Sequence, residues 1–175
     1  ARFIFPSVSL EGRTLWLLKS SPMPVKDLLW AKFWVGTLPL LILALGIVGV
    51  TNALLQVSDF MFAVSVMTIT MMTFALCGMA LGFGTLFPQF ETENAAQIPT
   101  SFGGLVFMIA SVGLIAGVVV LEARPVYGYL RSRFYGTPTY PGEMIFGFGM
   151  AALLCVAATI IPIGIAKRRL EAVER

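Results

Sequence analysis

The sequence predicts an all-α, polytopic transmembrane helical bundle of about four spanning helices, preceded by an amphipathic cytoplasmic helix. Three observations predict it. Hydrophobic residues make up 58% of the 175 positions and charged residues 12%, against roughly 25% charged in an ordinary soluble domain. The mean hydropathy is +0.89. The charges are also clustered: residues 33–58, 60–90, 94–121 and 144–166 contain no Asp, Glu, Lys or Arg. A helix needs about 20 mostly apolar residues to cross a hydrocarbon core of about 30 Å, and every one of these runs is long enough. Membrane strands alternate over short segments, whereas these runs are apolar on every face. Too few polar residues remain to enclose them as the core of a soluble protein.

The elements follow in order. Residues 1–32 form a polar-to-amphipathic cytoplasmic segment carrying Arg2, Arg13, Lys19, Lys26 and Lys32. Residues 2–6 are too short an apolar run for a signal peptide, and no cleavage site follows them. The transmembrane part, 33–166, divides into spans at about 33–55, 60–87, 101–121 and 144–166. A link at Gln56, Val57, Ser58 and Asp59 turns the chain after the first span, and Pro88 to Asn94 connects the second and third. Residues 122–143, with Arg124, Arg131 and Arg133, are expected as an external loop whose Tyr and Phe residues suit a membrane interface. Residues 167–175 form a basic cytoplasmic tail. Nine of the 12 Lys and Arg residues fall on the side that holds both ends and three on the other. The positive-inside bias therefore places both ends in the cytoplasm.

Small and polar residues punctuate the spans. Gly78 with Gly82, and Gly113 with Gly117, form Gly-x-x-x-Gly pairs that would let helices approach closely in lipid. Pro39 and Pro162 each remove a backbone donor inside a span and should bend it. Ser65, Thr68, Thr70 and Thr73 lie in the second span. Their hydroxyls are expected to bond back to the carbonyl four residues earlier; lining a polar path is the other reading. No charge falls inside a span, which argues against ion coupling through buried carboxylates. The chain has no histidine, which removes histidine triads, His-Glu-x-x-His zinc sites and haem ligation by His. No catalytic or metal-ligating set emerges. The basic residues flank the spans, so they do not indicate nucleic acid. Cys77 and Cys155 lie within spans and read as small packing residues. No Gly-x-x-x-x-Gly-Lys-Ser/Thr run occurs that could cradle a nucleotide phosphate.

The front segment carries the most pattern. Ser9 can cap a helix with Glu11 in its first turn, and Leu10, Trp16, Leu17 and Leu18 give that helix an apolar side. Pro22 and Pro24 end it, and a second helix runs from there towards Lys32. Thr14, Leu15, Leu17, Leu18, Ser20 and Pro22, followed by Asp27, Leu28, Leu29 and Lys32, resemble the cytoplasmic segment of type-2 ABC exporter permeases. Trp16 stands where that family usually has Glu, Ala31 where it has Gly, and the order Gly12-Arg13 differs. The layout of four spans after the motif, with the longest loop before the last, is similar as well.

The resemblance implies a membrane-spanning permease subunit of an ATP-driven exporter in a bacterial plasma (inner) membrane. It would form the translocation path and couple to a separate cytoplasmic ATPase through Glu11, Thr14, Leu15, Trp16, Leu17, Leu18, Ser20, Pro22 and Lys32. Glu91, Glu93 and Asn94 would form a cytoplasmic turn. The chain would bind no cofactor itself, with ATP and magnesium held by the partner ATPase, and would pair as a homodimer or heterodimer. Two further spans would precede Ala1. Two other readings stay open at this point: a non-catalytic subunit of a membrane complex, and a lipid-modifying membrane enzyme built on Glu91, Glu93 and Asn94.

Overall fold

The computed structural model describes residues 25–87, 101–136 and 141–173. They form four helices: α1 (Val25–Leu55), α2 (Asp59–Leu86), α3 (Phe102–Tyr135) and α4 (Pro141–Val173). Each contains a segment long and apolar enough to cross a membrane. At 1.5 Å per residue the helices run roughly 42–51 Å, longer than a hydrocarbon core of about 30 Å. The all-α polytopic architecture is therefore the one the composition indicated.

Local chemistry sets the ends. Gln56 adopts a left-handed φ of 48°, and the Val57 N–H donates to the Asn52 carbonyl at 3.3 Å. This tight turn folds α2 back along α1. Ser101 caps α3, its Oγ accepting from the Gly104 N–H at 3.3 Å. Gly136, at φ 63°, ends α3 with its N–H on the Ser132 carbonyl at 2.9 Å. A glycine can hold this left-handed position without a Cβ clash.

α2 is the centre of the bundle. It packs on α1, α3 and most extensively on α4, whereas α1 scarcely touches α4. Lipid tails are as apolar as leucine, so burying apolar surface between helices gains little in a membrane, and close backbone approach matters instead. The buried stretch of α2 fits that rule: Ala75, Gly78, Ala80, Gly82 and Gly84 are all small. Large apolar side chains point outward, among them Val35, Ile42, Ile47 and Leu54 on α1, and Val112 and Val120 on α3. Such a surface would be costly in water and is neutral in lipid. Trp30 and Trp34 mark one end of the bundle, and Tyr127, Phe134 and Tyr135 mark the other. Aromatic rings of this kind favour the two membrane interfaces.

Two boundaries differ from expectation. The segment 122–143 is not a loop as far as Tyr135, because α3 continues without a break through Glu122, Arg124 and Pro125. The end of an uncharged run is not the end of a helix. Glu122 finds a partner on α2, and the true stop is Gly136. Pro125 forfeits the bond to the Leu121 carbonyl, and the backbone of Gly147 on α4 covers that place. A Cβ on Gly147 would lie 3.0 Å from the Leu121 carbonyl oxygen and 2.8 Å from Pro125 Cγ. At its far end, α4 passes Ala166 and reaches Val173.

Candidate functional site

Of the expected coupling residues, Glu11, Thr14, Leu15, Trp16, Leu17, Leu18, Ser20 and Pro22 lie outside the described residues, as do Glu91, Glu93 and Asn94. Lys32 is described. It sits half-buried on α1 beside the buried Phe33, whose ring stacks on Phe74 of α2 at 6.1 Å.

The glycines divide by what faces them. Gly78 and Gly82 seat α2 on α4. A Cβ on Gly78 would lie 3.0 Å from Thr159 Cα, and one on Gly82 would lie 2.7 Å from the Pro162 carbonyl carbon. Gly117 faces Leu154 of α4, where a Cβ would lie 3.1 Å from Cδ2. Gly113 has no atom within 4 Å of a Cβ position and stands exposed.

The hydroxyls of α2 divide in the same way. Ser65, Thr70 and Thr73 donate to the carbonyls of Met61, Val66 and Ile69, each at 2.7 Å. These bonds satisfy the hydroxyls within their own helix, where lipid offers no partner. Thr68 is the exception. Its Oγ1 points across to α3 and lies 2.8 Å and 2.9 Å from the two carboxylate oxygens of Glu122. One hydroxyl has a single proton, so this is one shared donation.

Glu122 thus lies inside the bundle rather than in an external loop. It is half-buried at a groove of about 320 Å³ formed by α1, α2 and α3. Val48, Met61, Val64, Ile69 and Val126 make the apolar walls, and Ser65, Thr68 and Glu122 supply the polar atoms. Beyond the groove, Tyr129 fixes the level of the α1–α2 turn. Its ring stacks on Phe60 at 4.2 Å. Its hydroxyl oxygen lies 3.4 Å from Ser58 Oγ and accepts from Arg133 Nη1 at 3.4 Å. With the oxygen accepting from Arg133, the phenol proton is free to go to Ser58. Glu122 precedes Tyr129 by two helical turns, so its carboxylate lies about 10 Å inward of that level.

Ending the third span at its first charge hid Glu122. The signal was present in the spacing. Leu114 and Val118 are buried on α3, and the next step of four residues along that stripe is Glu122. Among the described residues, no group of three or more Cys, Asp or Glu stands together to hold a metal ion.

A family model described as "Putative ATP-binding cassette" matches residues 1–175. No curated protein and no solved structure matches the chain. The family match corrects the expectation drawn from residues 14–22 and 27–32. The family so described is of the ATPase type. The assignment to the permease subunits of type-2 ABC exporters, with a translocation path as the function, is therefore set aside. Neither alternative, a separate complex subunit or a lipid-modifying enzyme, fits the match better.

Proposed function

The chain belongs to this ATP-binding-cassette family, and on that premise we propose that its 175 residues supply the membrane-embedded part of an ATP-driven assembly. The observation that carries the reading is the pairing of the family match with helices that are each long and apolar enough to cross a membrane. A phosphate site needs backbone N–H groups gathered by a glycine-rich loop and a lysine to meet the charge. The sequence has no such run. Burying a triphosphate among uncharged spans would leave its charge uncompensated.

ATP and magnesium are then held by a cytoplasmic partner subunit of the ATP-binding-cassette type, and a second copy or a related chain completes the membrane part. α1, which scarcely touches α4, leaves the most apolar surface for such a neighbour. The membrane is a plasma membrane, and the basic residues at both ends face the cytoplasm.

Photolabelling with azido-ATP in native membranes tests this. The label is expected on a co-purifying polypeptide and on no peptide from within residues 25–173. A labelled peptide from that range would overturn the proposal.

A further inference from the structure

The described residues contain one half-buried carboxylate that reaches across to another helix, about two helical turns inward of the Tyr129 level. Glu122 takes a hydrogen bond from Thr68. Among the described residues it makes no other bond or ion pair. A carboxylate offers about four acceptor positions, so most of its capacity is directed at the groove. A carboxylate in low dielectric is neutralised by a counter-charge or by a proton, and such residues in membrane proteins mark ligand or ion sites. The nearest cation in sequence, Arg124, is exposed on another face of α3. Arg131 is also exposed, and Arg133 binds Tyr129 about 10 Å or more further out.

The groove discriminates among cations. A hard metal ion calls for six or more oxygens. Here one carboxylate and two hydroxyls supply four oxygens at most. The remaining wall is aliphatic or methionine. An ammonium group on an apolar body has the complementary chemistry: one charge to neutralise, N–H or N–CH groups for the carboxylate, and a chain for the walls. The volume of about 320 Å³ lies at the small end of organic-ligand pockets. It suits a headgroup-sized amine with the first carbons of its tail.

We propose that the groove between α1, α2 and α3 binds the ammonium group of a cationic amphiphile, with Glu122 as counter-ion and Thr68 holding its carboxylate in place. The assignment rests on the helices crossing a membrane and not on where ATP is held.

The test is equilibrium binding of radiolabelled dodecylamine to the purified full chain in dodecyl maltoside, beside dodecanol as the neutral control. Wild type is expected to bind the amine more tightly than the alcohol. Glu122→Gln should weaken amine binding by on the order of thirtyfold, the loss typical of removing one partner of a buried charge pair. It should leave dodecanol unchanged. Asp59→Asn, which removes an exposed carboxylate at the helix end, should have no effect.

Competing lipid separates the two sources of the amine. Displacement by phosphatidylethanolamine and not by phosphatidylglycerol assigns the site to a lipid headgroup. Displacement by neither assigns it to a free amphiphilic amine. Both outcomes uphold the site. Equal displacement by both lipids, or equal amine affinity for wild type and a monodisperse E122Q, overturns it. Should E122Q not fold, equal affinity of wild type for amine and alcohol overturns it as well. Failure of this test leaves the azido-ATP result untouched.

Discussion

Replacing Gly82 by alanine probes the α2–α4 seat directly. The added Cβ would lie 2.7 Å from the Pro162 carbonyl carbon and 3.0 Å from its Cα. Both are backbone atoms of a helix, so neither can swing aside as a side-chain end would. Overpacking of this kind costs about 1–3 kcal/mol, while exchanging glycine for alanine within a helix returns about 1 kcal/mol. The net change is then a loss of up to about 2 kcal/mol. Gly113 supplies the internal control. It belongs to the other Gly-x-x-x-Gly pair, yet nothing lies within 4 Å of its Cβ position. Gly113→Ala should therefore gain up to about 1 kcal/mol from helix propensity alone. The two variants should differ by about 1–3 kcal/mol, or roughly 2–12 °C in Tm for a chain of this size. Thermal unfolding followed by fluorescence-detected gel filtration in one detergent measures the difference. Equal Tm values, or a G82A variant more stable than G113A, would refute the packing argument.

Two further outcomes follow from hydrogen bonds and backbone geometry. Thr68→Val removes the donor to Glu122 and should cost about 1–3 kcal/mol, because a half-buried carboxylate loses its bond. Ser65→Ala, which loses only a bond within its own helix, should stay within about 0.5 kcal/mol; matched unfolding curves compare the two. Gly136→Ala places a Cβ at φ 63° and should cost about 1 kcal/mol. Hydrogen exchange would show faster amide exchange at residues 132–135 and unchanged exchange at residues 75–82.

Much of the fold was legible because burial in lipid leaves a simple mark. Runs without charge must be long, and the helices α1, α2 and α4 contain theirs. The same criterion failed on α3, since it treats the first charge as a boundary. Glu122 is tolerated within α3 because Thr68 on another helix meets it, and a one-dimensional reading cannot see that contact. The glycine spacing shows the reverse limit. Gly78 with Gly82 and Gly113 with Gly117 look alike in sequence, but only the structure separates Gly113, which faces open space, from the others. Thr68 was likewise indistinguishable from Ser65, Thr70 and Thr73 until α3 was placed beside it. The resemblance at residues 14–32 pointed towards ATP-binding-cassette systems but to the permease subunits of type-2 exporters, an assignment the family match overturns, because short aliphatic helices with a Ser-x-Pro stop are not specific enough to separate family members.

The account depends on these helices crossing a membrane with the turn before Asp59 and the end of α3 on one side. Single cysteines at positions 30, 59 and 135 test it, introduced as Trp30→Cys, Asp59→Cys and Tyr135→Cys with Cys77 and Cys155 changed to alanine. Labelling in sealed vesicles with a membrane-impermeant maleimide should modify D59C and Y135C from one side and W30C from the other. Labelling of D59C and Y135C from opposite sides, or of all positions from both sides, would contradict the account.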